Sequence, residues 1–323
     1  MLPPLSDLLA STHVVSLPMA RRFRGVDHRE AALLRGPKGW TEFSPFPEYA
    51  DDEAATWLAA AIDFGWNEQP RPVRDAIPVN ATVPAVAAED VAGVLDRFPG
   101  CLTVKVKVAE RGQSLAADEA RVAAVRASLG PAGRIRIDAN AAWSVEEADR
   151  AIRALAGYDL EYVEQPCASV AELAEIRSRG LGVLIAADES VRKATDPLAV
   201  ARAGAADVLV IKAQPLGGIG AALTIARQAG LPVVVSSALD TSVGIAMGAH
   251  LAAAIDDLRY DCGLGTAALL AADVTDAPLV PVGGLIPVRR VEAKPELLEE
   301  HAAHADRTAW WLARLARCYR LLG

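Results

Sequence analysis

Six ionisable residues in the middle of the chain have the types and order of an acid–base site. They are Lys105 and Lys107, then Asp138, Glu164 and Asp188, then Lys212. Three carboxylates brought together repel one another unless a cation sits among them, and hard oxygen donors with open positions suit Mg²⁺. A lysine beside a second lysine gives up its proton more readily, so Lys107 with Lys105 behind it has the makings of a general base near neutral pH. Taken singly, each acid is equally a helix cap or a turn former. Asp138 is followed by Ala139-Asn140, Glu164 by Gln165-Pro166, and Asp188 by Glu189-Ser190. The case for a site rests on all of them falling at matching places in the chain.

Those places are set by strands. In Leu102–Val108 the residues alternate, with Val104, Val106 and Val108 on one face and Thr103, Lys105 and Lys107 on the other. This reads as a strand of a parallel sheet covered by helices, whose inward lysines need the carboxylates as counter-charge. An edge strand with its lysines in water is the alternative. From about residue 78 strand and helix patterns alternate. The strands are Val79–Val83, Leu102–Val108, Arg134–Asp138, Leu160–Glu164, Val183–Asp188, Val208–Lys212, Val233–Ser237 and Asp257–Tyr260, with helical stretches after most of them. Gly130, Gly157, Gly180 and Gly230 stand where helices should end. Repeated βα units of this size predict an α/β fold, a (β/α) barrel, and no short motif recurs to signal a solenoid. Barrel chemistry sits at the C-terminal ends of the strands, where the lysines and acids fall.

The flanks follow other patterns. Thr12–Leu17, Ala31–Arg35 and Trp40–Ser44 read as short strands, Gly36–Gly39 as a tight turn, and Asp51–Ala61 as a helix. Pro18–Gly25 reads as a basic loop, either solvated or a lid whose arginines meet an anionic substrate. Pro295–Gly323 reads as a helical tail with Trp310, Trp311, Leu312, Leu315, Tyr319 and Leu322 partly on one face. That stripe suits docking on the N-terminal region better than a membrane surface.

With 323 residues, a net charge of −8 and 52% hydrophobic residues, the chain can build a large core and has no basic surplus for nucleic acid. Cys101, Cys167, Cys262 and Cys318 are scattered, as buried thiols of a reducing compartment would be. No signal peptide or membrane-length apolar run stands out. The expectation is a soluble cytoplasmic protein acting on a small-molecule carboxylate, with no membrane insertion. Its oligomeric state stays open, and a monomer would suffice.

The constellation resembles the enolase superfamily over nearly the whole chain. The resemblance implies a (β/α)7β TIM-like barrel over 78–286, and an α+β capping domain formed by 1–77 plus 287–323, with its lid near 18–25. Lys105-Val106-Lys107 on the second barrel strand and Lys212 on the sixth are similar to the muconate-lactonizing-enzyme group. A racemase of the mandelate type would carry a histidine where this chain has Ser236-Ser237. Three stretches resemble a dehydratase family of that group: Gly39–Pro47, Lys212–Gly218, and Gly263–Thr266 with Leu269–Val274. Thr41 departs from the glycine expected there.

The implied reaction is a syn-dehydration of a cyclohexadiene carboxylate bearing a hydroxyl and a succinyl chain, in menaquinone synthesis. Lys107 would take the α-proton and return it to the departing hydroxyl. One divalent ion, Mg²⁺ with Mn²⁺ as substitute, would be held by Asp138, Glu164 and Asp188 and stabilise the enediolate. Lys212 would face it as a fixed charge or a second base. Lys105, Arg136, Asn140 and Glu189 would support the site, Arg136 through an ion pair with the metal ligands. Ser236, Ser237, Gly263 and Gly265 would hold the succinyl carboxylate, unless they are plain turn and capping residues. An N-succinylamino acid racemase using Lys107 and Lys212 as a two-base pair is the alternative.

Overall fold

The computed structural model describes residues 2–23, 25–192 and 196–323. The chain opens with an antiparallel sheet of β1 (Thr12–Phe23), β2 (Val26–Gly36) and β3 (Gly39–Phe43), in that order. β1 and β2 are longer than the expected Thr12–Leu17 and Ala31–Arg35. The expected loop Pro18–Gly25 is mostly strand, because its residues continue the hairpin ladder with an irregularity between Pro18 and Phe23. Arg24 lies outside the described residues. The helix Asp51–Trp66, with Asp51, Asp52 and Glu53 in its first turn, packs on this sheet. Gly36 and Gly65 lie so close that a Cβ on Gly36 would overlap the Gly65 carbonyl.

A parallel sheet follows. Its strands are β5 (Ala81–Val83), β6 (Thr103–Lys107), β7 (Arg134–Asp138), β8 (Leu160–Glu164), β9 (Leu184–Ala187), β10 (Val208–Ile211) and β11 (Val233–Val235), each paired with the next. A short antiparallel pair, β4 (Ala76–Pro78) with β12 (Leu285–Pro287), flanks it. The eighth stave is not Asp257–Tyr260. In that stretch Asp257 and Arg259 pair with each other at the surface. The barrel closes instead through Cys262 and Gly263. Cys262 N–H donates to Pro78 O (2.7 Å) and its carbonyl accepts from Asn80 N–H (2.9 Å). Gly263 N–H donates to Val235 O (2.8 Å) and its carbonyl accepts from Ser237 N–H (3.1 Å).

The alternation in Thr103–Lys107 resolves as a strand buried on both faces. Val104 and Val106 join the layer shared with the helices, while Lys105 and Lys107 face into the barrel. Lower in the barrel a separate cluster of Tyr162, Ala186, Val208, Val210 and Val234 fills the interior. The helices form largely where periodicity puts them, including Leu115–Leu129, Val145–Leu155, Val170–Ser178 and Ile219–Ala229. Gly130 and Gly230 end two of them at positive φ. Gly157 does not play that part: the helix before it runs into a 3₁₀ turn, and Asp159 takes the left-handed exit.

The tail is two helices, Pro295–Glu300 and Ala305–Arg320, rather than one. Trp311 Nε1 donates to Glu30 (2.8 Å), Arg317 pairs with Asp51 (2.6 Å), and Arg314 donates to the carbonyls of Phe46 (3.1 Å) and Tyr49 (2.5 Å). Among the described residues no helix is long and apolar enough to cross a membrane.

Candidate active site

The C-terminal mouth of the barrel holds a cavity lined by Lys105, Lys107, Asp138, Asp188 and Lys212. Parallel register explains the convergence: Lys107 lies beside Asp138, and Asp138 beside Glu164, at the ends of β6, β7 and β8. Asp188 and Lys212 each stand one residue past β9 and β10. Glu164 is buried beneath the cavity surface.

Each carboxylate is met by an ammonium. Lys107 Nζ lies 2.5 Å from Asp138 Oδ2 and donates to Asn140 Oδ1 at 2.8 Å. Lys105 Nζ donates to Glu164 at 2.9 Å and stands 3.1 Å from Asp138. Lys212 Nζ donates to Asp188 at 2.5 Å. Against the upward push of burial, Lys107 and Lys105 hold the Asp138 carboxyl well below its ordinary range. Lys212 and Arg192 likewise overcome burial to bring Asp188 down to about 2. Burial, with Asp138 nearby, pushes Glu164 up to about 7. Burial works to lower Lys105, but Glu164 and Asp138 outweigh it and hold its ammonium above the usual lysine value.

As they stand, the carboxylates are not gathered around one point: among the described residues no three His, Cys, Asp or Glu side chains are set to hold an ion. The donors nevertheless fit a hard divalent cation. They are oxygen atoms from three neighbouring strand ends. Asp188 Oδ1 is buried and accepts no hydrogen bond among the described residues, with Arg192 Nε 3.3 Å away as an ion-pair partner, and Glu164 is buried beside Asp138 and Asp188.

The loops behind the acids are held by polar side chains. Asn140, at φ 46°, donates its backbone N–H to Asp138 Oδ1 (3.0 Å) and its amide to Glu189 (3.3 Å). Gln165, fully buried at φ 39°, accepts from the backbone N–H of Asp188 (2.9 Å) and Ser190 (3.2 Å) and donates to Ser190 Oγ (2.7 Å). One residue thus ties the end of β8 to the loop that carries Asp188. Its place in Gln165-Pro166 reads from sequence as a turn, and burial is the signal that was missing. Arg192 bonds Glu189 (2.9 Å) and Tyr49 Oη (3.2 Å), joining the Asp188 loop to the N-terminal region. The residues after it, 193–195, lie outside the described residues.

Other expected residues stand differently. Arg136 does not pair with the acids: it lies a layer deeper, with Glu161 (2.5 Å), Asn80 (3.0 Å) and the Asp261 carbonyl (2.6 Å). Inward direction along a strand fixes the face but not the depth. Ser236, Ser237 and Gly263 line the cavity, and Ser237 Oγ bonds Gly263 O and Thr266 Oγ1, both at 2.7 Å. The Gly263 N–H is spent on Val235 O in closing the barrel, so it offers no carboxylate contact. Gly265 turns away from the cavity, toward Asn80 O, Pro281 and Phe98.

Among the described residues of the hairpin tip, the one that lines the cavity is an aromatic ring and not a cation. Phe23 lines the cavity, its ring centroid 5.7 Å from Lys107 Nζ, while Arg21 and Arg22 are exposed. Phe46, Tyr49 and Trp57 complete the wall on this side. Two cap residues reach the loop after β11. Buried Arg29 donates to Leu239 O (3.1 Å), and Leu239, at φ 65°, lines the cavity. Buried Glu42 accepts from Thr241 N–H (3.1 Å), Gly244 N–H (3.0 Å), Thr241 Oγ1 (2.5 Å) and Ser44 Oγ (2.5 Å), capping the helix Ser242–Ala253.

Residues 14–65 match the Enolase N-terminal domain-like family and residues 86–295 the Enolase C-terminal domain-like family. An o-succinylbenzoate synthase from Thermobifida fusca (strain YX) is 58% identical over 304 residues, 93% of each chain. Another, from Mycobacterium marinum, is 55% identical over 98% of this chain and 96% of its own. The chain belongs to the o-succinylbenzoate synthase family of the enolase superfamily. It is an enzyme of the hydro-lyase class. Members of the superfamily generally bind a divalent metal. The fold is similar to that of muconate lactonizing enzyme from Pseudomonas fluorescens (TM-score 0.76, 23% identity, 91% of this chain and 98% of that one). The L-Ala-D/L-Glu epimerase of Bacillus subtilis aligns with a TM-score of 0.73 at 23% identity, over 87% of this chain and 96% of its own.

Proposed function

We propose that this enzyme dehydrates 2-succinyl-6-hydroxy-2,4-cyclohexadiene-1-carboxylate to o-succinylbenzoate, a step of menaquinone biosynthesis. The observation that carries the reading is the meeting of Lys107 and Lys212 in one cavity with the carboxylates of Asp138 and Asp188, in a chain so similar to o-succinylbenzoate synthases. Lys107 Nζ takes the proton α to the ring carboxylate. The same ammonium returns it to the leaving hydroxyl on the same face, so a single residue serves both halves of a syn elimination. Asn140, bonded to Lys107 Nζ, aims the amine. Lys212 stays protonated against Asp188 as a fixed cation beside the ring. Asp138, Glu164 and Asp188 would hold Mg²⁺, which when bound supplies a Lewis acid that lowers the energy of the enediolate. Phe23 and the Phe46–Tyr49–Trp57 wall exclude water from the reacting face.

The test follows the ultraviolet absorbance of the diene substrate as it is consumed. Wild type with Mg²⁺ is expected to consume it. Lys107→Ala should be slowed at least about 10⁴-fold, since both proton transfers pass through one residue. The fold should survive the substitution, because Asp138 keeps Lys105 at 3.1 Å and the Asn140 N–H at 3.0 Å. Substantial turnover by Lys107→Ala would overturn the assignment. Both lysines lining one cavity also suit racemisation of N-succinylamino acids. Faster α-deuterium exchange of such a substrate than dehydration of the diene, compared by kcat/KM, would make that the primary activity.

A further inference from the structure

One cap side chain grips the main chain on two sides of the catalytic cavity. Arg29, on β2, is 2% exposed. Its Nε donates to Leu239 O (3.1 Å) and its Nη2 to Ala238 O (3.4 Å), both in the loop after β11. The same Nη2 donates to Ser44 O, just past β3, and Nη1 donates to Glu30 O (3.2 Å). The guanidinium also lies over the Phe46 ring, 4.5 Å from its centroid. Phe46, Ala238 and Leu239 all line the cavity, whereas Arg29 stands behind them and does not. A buried guanidinium is costly unless its donors are used, and these donors are spent on carbonyls of both the cap and the barrel. One of those carbonyls belongs to Leu239, whose φ of 65° is a left-handed backbone that a leucine keeps only where its surroundings hold it. Burial lowers the pKa of Arg29, and the Glu42 and Asp240 carboxylates nearby oppose that shift. The side chain is therefore also counter-charge for two buried acids.

We propose that Arg29 is a positioning residue: its planar fork fixes Ala238 and Leu239 of the barrel wall against Phe46 of the cap wall, and so sets the width of the cavity that receives the substrate ring. This rests on the proposed dehydration only for which substrate fills the cavity. The walls touch substrate and transition state alike, so loosening them falls on KM more than on kcat.

Two substitutions separate positioning from charge. Arg29→Lys keeps the positive charge beside Glu42 and Asp240 but loses the fork and the stacking on Phe46. It should unfold close to the wild-type temperature and raise KM for the diene about 10-fold, with kcat changed less. Arg29→Met loses the charge as well and should raise KM at least as far while also lowering the unfolding temperature. A KM for Arg29→Lys within about twofold of wild type would overturn the positioning role, whatever Arg29→Met does, since the residue would then serve only as charge or packing. A crystal structure of Arg29→Lys should show Leu239 out of its left-handed conformation or the Phe46 ring displaced; unchanged walls would overturn the proposal as well. Should Lys107→Ala keep its turnover, or an N-succinylamino acid prove the better substrate, the proposed chemistry falls. The walls in the crystal and the KM for the substrate actually used would then still decide the role of Arg29.

Discussion

Lys105 is the residue whose removal most directly tests the charge logic of the site. Its ammonium donates to both Glu164 oxygens, at 2.9 and 3.2 Å, in a setting where Lys105 is 7% and Glu164 1% exposed. Lys105→Met keeps the aliphatic stem and removes the charge. Stripping one partner from a buried ion pair costs about 3–5 kcal/mol, because the remaining charge stays desolvated. The cost has a definite pH dependence. Burial already pushes the Glu164 carboxyl up to about 7, and losing Lys105 pushes it further. A carboxyl whose folded pKa lies above its unfolded value of about 4.3 withdraws stability as pH rises between the two. The part of the penalty due to Glu164 should therefore be absent at pH 4, where it is protonated in both folded proteins and Asp138 alone misses the ammonium, and should appear as pH rises past about 7, so the penalty is larger at pH 8 than at pH 4. Urea unfolding of wild type and Lys105→Met at both pH values, with chelator present, measures it. Adding Mg²⁺ at 100 times its dissociation constant should then restore about 2.7 kcal/mol to either protein able to bind it. Equal penalties at pH 4 and pH 8, or no stabilisation by any divalent cation, would refute the reasoning.

Glu42→Ala leaves three donors at the start of the helix Ser242–Ala253, and Ser44 Oγ beside it, without their acceptor. It should cost about 3–5 kcal/mol in unfolding free energy, with kcat of the folded enzyme changed far less. Phe23→Ala removes the ring that faces Lys107 at 5.7 Å and opens the mouth of the cavity. Steady-state kinetics should show KM for the diene rising about 10-fold, equivalent to about 1.4 kcal/mol of lost contact. Asp188 is held at about 2, below its unfolded value of about 3.9, so its contribution is complete above about pH 5 and is lost as pH falls through 2. The shift is worth about 2–3 kcal/mol. In chelator, Lys212→Met should flatten that part of the acid-unfolding curve.

The parts of the site that could be read from sequence are those fixed by a period of two. Lys105 and Lys107 share a face because they are two residues apart, and Asp138 and Glu164 end strands whose apolar alternation marks where each stops. What period cannot convey is depth. Arg136 shares the inward face with Asp138 but sits a full pleat lower, where Glu161 and the Asp261 carbonyl meet it. Nor does pattern show a stave made by two residues. Cys262-Gly263 closes the barrel with four backbone hydrogen bonds but is too short to alternate, so the apolar and aromatic residues of Asp257–Tyr260 mimicked the strand instead. Gln165, Glu42 and Arg29 act through burial and long-range contacts. Glu42 meets a helix 199 residues away in the chain, and nothing local distinguishes it from a solvated strand glutamate.

The pairing of three ammonium groups with three carboxylates has a consequence for binding. Under the proposed assignment the six side chains are close to electrically balanced before any ligand arrives. A divalent cation alone would then bring an unbalanced double positive charge into a buried cavity, and a substrate with two carboxylates alone an unbalanced double negative one. Each is costly where water is excluded. Together they cancel, so each must tighten the other, and by the reciprocity of linkage the coupling is the same in both directions. Charge pairing does not separate the lysines. Each has a carboxylate at 2.5 Å, Asp138 for Lys107 and Asp188 for Lys212, and each of those carboxylates has a second cation beside it, Lys105 or Arg192. What marks Lys107 is its further bond to Asn140 Oδ1 at 2.8 Å, a neutral acceptor that holds the amine in place whether or not it carries the proton.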